Sequence, residues 1–156
     1  MPSIQHTAIS KPLTNPSKSM RTNRVFIAWL VAGIIMLLLG LGMLYAGIYF
    51  FPRIADEYFS PVFRKAGESD WTFYIHPFIL AIALKWFWER YKGIFKGGVL
   101  LRALEVALVY SIVALLPILW LTFSAIDVSL KMIITWFIYG LVQAFAAGIV
   151  FAKLNP

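Results

Sequence analysis

The sequence predicts an all-α integral membrane protein, a four-helix bundle with both termini in the cytoplasm. Three observations predict it: an apolar composition, four long apolar segments, and basic residues that alternate between the flanks of those segments. Apolar residues make up 61% of the chain and charged residues 13%, with a mean hydropathy of +0.80. An ordinary soluble domain has roughly 45–50% apolar and about 25% charged residues. Lipid is therefore the expected solvent, and 156 residues suit a single domain.

Residues 1–24, "MPSIQHTAISKPLTNPSKSMRTNR", hold Ser, Thr, Pro and Lys with little apolar content. Such a stretch cannot offset its ordering entropy by burial, which predicts a disordered basic tail. Val25–Phe51 then runs without a charge, longer than the roughly 20 residues that cross a bilayer. It also exceeds the ~7–15 apolar residues of a signal peptide, so it reads as a retained anchor. Further spans are expected at about Trp71–Glu89, Val99–Phe123 and Ser129–Ala152, giving a transmembrane domain over 25–154. Backbone groups in lipid must be satisfied within the protein, and continuous runs of this length mean helices, not barrel strands. Ser69 or Asp70 is the expected N-cap of the second helix and Asp127 of the fourth. Pro77 and Pro117 predict kinks in the second and third. The first loop, with "RIADEYFSPVFRKAG", interleaves aromatics and charges, as an interfacial segment or an irregular linker would.

Orientation follows from the cations. The tail has Lys11, Lys18, Arg21 and Arg24, and the second loop has Arg90, Lys92 and Lys96 without an acid. The first loop sets three basic residues against Asp56, Glu57, Glu68 and Asp70. The tail and the second loop are thus expected in the cytoplasm. There Arg90, Lys92 and Lys96 would meet anionic headgroups, each attraction worth roughly 1 kcal/mol. Membrane lipids are the expected partners. Nucleic acid is not, because no basic groove interleaved with aromatics is visible.

Gly33, Gly40 and Gly47 repeat every seventh residue on the first helix, with Gly42 nearby, and Gly140, Ala144 and Gly148 every fourth on the last. Small residues let helix backbones approach closely in lipid, either within the bundle or as a homo-oligomer seam through helices one and four.

For chemistry the chain offers little. With no cysteine, thiol nucleophiles, thiolate zinc sites and iron–sulfur clusters are excluded. His76 is the only histidine of the apolar part. A single imidazole supports neither a bis-histidine haem nor a histidine metal site, so no cofactor is expected; a proton-accepting site in the outer leaflet stays open. Near the midplane lie Tyr110, Ser111 and Gln143, with Tyr45 and Tyr139 in reach. They serve either as polar glue between helices or as a cavity for a lipid, quinone or small solute.

The stretch "ALKWFWERYKGIFKGGVLLRALEVAL" carries Lys85, Glu89, Arg102 and Glu105. Counting depth back from the turn of a helical hairpin sets Lys85 level with Glu105 and Glu89 level with Arg102. Each helix presents its two charges on one face. This predicts a two-rung ladder of ion pairs; the alternatives are independent snorkelling or an ion or proton site at Glu105.

The phrases "HPFILAIALKWFWERYKG", "LPILWLTFSAIDVSLKMIITWF" and "GLVQAFAAGIVFAKL" are similar to small bacterial membrane proteins of an uncharacterised four-span family, over about residues 25–154. The resemblance implies the bacterial inner membrane and the topology above, and brings no activity. The chain lacks the cysteines of four-helix quinone–thiol enzymes, and its uncharged first helix lacks the essential glutamate of small multidrug antiporters. The expected role is a non-enzymatic interaction or accessory subunit. The alternative is a small transporter or channel using Glu105 or the midplane level, and the third is a lipid-binding or lipid-modifying enzyme working at the basic turn.

Overall fold

The computed structural model describes residues 16–63 and 70–156, with side chains from Asn23 onward apart from 64–70. Every regular element among them is helical: α1 (Pro16–Phe50), α2 (Pro52–Glu57), α3 (Asp70–Tyr91), α4 (Val99–Tyr110), a π-helical segment (Ser111–Leu115), α5 (Leu116–Ala125) and α6 (Leu130–Leu154). Among the described residues three stretches are long and apolar enough to cross a membrane: Asn23–Phe50, Val99–Ala125 and Leu130–Leu154. α3 is not among them. Trp71, Tyr74, His76 and Pro77 near its start and Lys85 near its end dilute its apolar character.

The element boundaries follow local chemistry. α1 begins at Pro16, ahead of the boundary expected at Val25. Proline suits a helix start because its missing N–H would be unpaired there in any case; residues 1–15 of the expected tail lie outside the described residues. So does Ser69, one of the expected caps of α3. The cap of α6 is Ser129 instead of Asp127, and its hydroxyl accepts from the Met132 N–H at 3.2 Å. That is the N3 donor which such a side chain serves best. Gly97, with φ of +88°, lets the chain turn back ahead of α4.

Neither internal proline ends its helix. Pro77 sits buried inside a continuous α3. Pro117 directly follows the π segment, in which the Leu116 N–H reaches the Ser111 carbonyl. One widened turn gives the proline ring room where a regular α-turn would press it against a carbonyl.

α6 is the central helix. It packs on α1 and α4, touches α3 and α5 as well, and α1 in turn carries α3. The contact faces are built from small side chains: Ala28 and Ala32 on α1, Ala81 on α3, Ala103 and Ala107 on α4, and Ala144 and Ala147 on α6 are all fully buried. At Gly148 a β-carbon would come within 2.8 Å of the Ala103 Cα, and at Gly33 within 2.5 Å of the Phe78 ring. Lipid offers no hydrophobic drive between helices, so close backbone approach has to supply the attraction. The glycine series of α1 and α6 is thus filled from within the chain. Gly42 faces open space.

Replacing Gly148 by Val should lower thermal stability in detergent by at least about 1–3 kcal/mol, because the obstacle is backbone. Gly42→Ala should leave stability unchanged or raise it by roughly 0.5–1 kcal/mol.

Candidate functional site

The α3–α4 turn gathers the chain's interior charges around one ring. Trp88 is fully buried. Its indole N–H donates to the Asn155 carbonyl at 2.8 Å, and its ring stacks on Phe95 with centroids 5.7 Å apart. The Arg102 guanidinium lies 4.7 Å over the same ring and donates to the Lys92 carbonyl at 3.3 Å. Lys85, only 4% exposed, pairs with Glu89 and sits 5.4 Å over the Phe151 ring. Glu89 also accepts from the Asn155 side-chain amide and lies 3.7 Å from the Lys92 ammonium. Lys92 closes the cluster through Asn155 Oδ1 at 3.4 Å and the Pro156 carbonyl at 3.1 Å. A cation on an aromatic face gains about 2 kcal/mol when desolvated, which suits both Lys85 and Arg102 here.

This arrangement corrects the expected ladder. Among the described residues the ion pairs are Lys85–Glu89 and Glu89–Lys92, both along α3 and its exit. Lys85 is not paired with Glu105, nor Glu89 with Arg102. Sequence depth had set the residues level, but α3 leans on α1 while α4 leans on α6. The i,i+4 spacing of Lys85 and Glu89 lets them pair without drawing two helices together. Across the gap Arg102 meets a tryptophan face, not a carboxylate. Glu105 Oε2 and Arg102 Nε are buried without a hydrogen-bond partner. Trp88 and Asn155 were missed in the sequence. The available signal was a tryptophan flanked by the two charges in "KWFWER", and an amide just past the last apolar run at the same end of the bundle. Arg90 and Lys96 are exposed beside this cluster, whereas Lys92 is half-buried in it.

The midplane residues each have their own surroundings. The Gln143 amide donates to the Met36 carbonyl of α1 at 3.2 Å. Ser111 opens the π segment with its hydroxyl buried and unpartnered, and Tyr110 packs on the apolar core. Tyr139 donates to the Met43 carbonyl at 2.5 Å, and Trp29 to the Phe78 carbonyl at 3.1 Å. Tyr45 is exposed.

At the opposite end His76 is exposed on α3, and no group of three metal-ligating side chains occurs among the described residues. The aromatic first loop forms α2 and folds back on α6. The Ser129 N–H donates to Glu57 Oε2 at 3.2 Å, the Trp136 indole to the Tyr58 hydroxyl at 2.6 Å, and Phe63 meets Trp136 edge-on at 6.1 Å. Burial raises the pKa of Tyr58 above its ordinary 10.0, opposed by the Trp136 bond and helped by the Glu57 charge. Beneath α2 lies a cleft of about 520 Å³, lined by the end of α1, by α2 and by the start of α6.

The all-helical fold and its three membrane-capable helices are compatible with one class, the multi-pass helical membrane proteins. Compared with family models, with curated proteins and with solved structures, the chain has no match.

Lys85→Glu should cost about 3–5 kcal/mol, the usual penalty for breaking a buried pair. The swap Lys85→Glu/Glu89→Lys should recover part of the folded yield in size-exclusion chromatography. Lys85→Glu/Glu105→Lys should recover none.

Proposed function

We propose that the chain is a four-span membrane protein that acts as a non-enzymatic interaction or accessory subunit. The observation that carries this reading is where the interior donors go. Trp29, Trp88, Tyr139 and Gln143 each end on a main-chain carbonyl of another segment. Such bonds fix helices against one another and tie up these four side chains in packing, not in acid–base work.

α3 serves as the fourth span in this reading. Its 22 residues reach about 33 Å, enough for a hydrocarbon core of about 30 Å. Its Lys85 and Glu89 lie in the last two turns and are paired. Arg90, Lys96 and Lys153 are exposed at this end, which supports a cytoplasmic position for the turn and both termini under the positive-inside rule. The bacterial inner membrane follows from the family resemblance alone. Since the glycines of α1 and α6 are largely filled, the apolar surface of α4, the π segment and α5, including Leu104, Leu108, Val113 and Trp120, offers a face for a partner helix or a second copy.

A second reading, a small transporter or channel, is favoured by one observation: Glu105 keeps a buried, unpartnered oxygen. Crosslinking in membranes followed by native mass analysis separates the two. The subunit reading expects a stoichiometric complex whose yield is unchanged by Glu105→Gln. A lone monomer whose proton or ion flux disappears in Glu105→Gln would favour the transporter and overturn the subunit.

A further inference from the structure

The cleft beneath α2 is a space that none of the above uses. Its walls come from Met43, Gly47, Ile54, Ala55, Ile138 and Tyr139, and its volume of about 520 Å³ falls within the ~300–1,000 Å³ of small-molecule sites. Two of its three walls, the end of α1 and the start of α6, belong to membrane-capable helices. Ile48 and Ile138, half-exposed at its side, open it toward the lipid. The floor is fixed: Tyr139 is tied to the Met43 carbonyl and stands over Gly47, where a β-carbon would come within 2.9 Å of its hydroxyl. The roof is fixed too, because Glu57 and Tyr58 hold α2 to α6. A slot that is apolar, held open from both ends and open sideways to lipid suits an extended hydrocarbon chain.

The rim identifies the headgroup. Among the described residues Asp56 is the only charged one lining the cleft, and it is exposed. Arg53 stands one turn before it on α2, also exposed, and residues three apart share a helix face. The described ion pairs do not include these two, so both charges are open to a ligand. One cation beside one anion complements a phosphate joined to an ammonium. The segment Pro52–Asp70 is near neutral by composition, with three basic residues against four acidic ones. An anionic headgroup would meet the Asp56 carboxylate unfavourably, and would find more cations at the α3–α4 turn.

We propose that this cleft holds one acyl chain of a zwitterionic aminophospholipid, with the phosphate at Arg53 and the ammonium at Asp56. The site lies at the opposite end from the basic turn and does not depend on the subunit reading.

The test uses the full chain in mild detergent, a phosphatidylethanolamine with a photoreactive group in its acyl chain, and peptide mapping of the adduct. Label should concentrate between residues 43 and 59 and between 135 and 139. Ala55→Trp, which fills the cleft, should lower it by about tenfold. Ile138→Trp narrows the opening from the lipid side, where a larger side chain strains nothing, and should lower label likewise if the first variant does not fold. Ile82→Trp, on the exposed face of α3, should leave the label unchanged. Unlabelled phosphatidylethanolamine should displace the probe and phosphatidylglycerol should not, and Asp56→Lys should reverse that order. Label spread evenly over all helices and indifferent to Ala55→Trp and Ile138→Trp would overturn the site, leaving an ordinary lipid annulus. Equal competition by both lipids would overturn the headgroup assignment.

Discussion

The approach of α6 to its neighbours is the constraint on which the other contacts depend. At Gly148 the α6 backbone lies so near Ala103 that no side chain fits between them. One level up, Ala144 and Ala147 are fully buried, and Gln143 bonds to the α1 backbone. A helix in lipid is drawn to another by dispersion and by hydrogen bonds, and both fall off within an ångström or two of contact. Placing the smallest residues on the central helix lets α1 and α4 both come close to it. α3 then has to find its place on the outer side of α1, where Gly33 receives the Phe78 ring.

That order of packing explains the charges. If α3 and α4 lay side by side along their lengths, Lys85 and Glu105 could face each other. With α1 and α6 taking up their packing faces, the two helices converge only toward their turn, and there the material is aromatic. Trp88, Phe95 and Phe151 make a dry centre onto which Lys85 and Arg102 lay their cations. The chain's last residues complete it, since Asn155 serves Trp88, Glu89 and Lys92 at once. Its main-chain carbonyl takes the Trp88 indole and its side-chain amide takes Glu89 and Lys92, so the end of α6 and the end of α3 are fixed together.

The helical segments are legible in the sequence because membrane crossing demands length and apolarity, and both can be counted. α1, the α4–α5 stretch and α6 stand out for that reason. Neighbour relations are not legible in the same way. Counting back from a turn gives the depth of Lys85 or Arg102, but the direction each helix face points is set by packing with helices distant in the chain. The π segment ahead of Pro117 and the Ser129 cap turn on one residue of register, finer than an apolar run can specify. For the candidate sites, the charged types at the turn could be read, while their partners Trp88 and Asn155 could not. An indole and a terminal amide look ordinary until the fold brings them together. The cleft beneath α2 was hidden more deeply still, since it depends on a loop folding back over two helix ends.

α6, not the α3–α4 hairpin, organises the bundle. The chain contains no cysteine, so disulfide trapping reports only introduced pairs, and a disulfide needs Cα atoms roughly 4.4–6.8 Å apart. Leu115→Cys/Gly140→Cys, across the π segment and α6 where a Gly140 β-carbon would come within 3.3 Å of Leu115 Cγ, should crosslink readily in membranes on mild oxidation. Lys85→Cys/Glu105→Cys, across α3 and α4, should stay reduced under the same conditions. A crosslink in the second pair with none in the first would contradict the account.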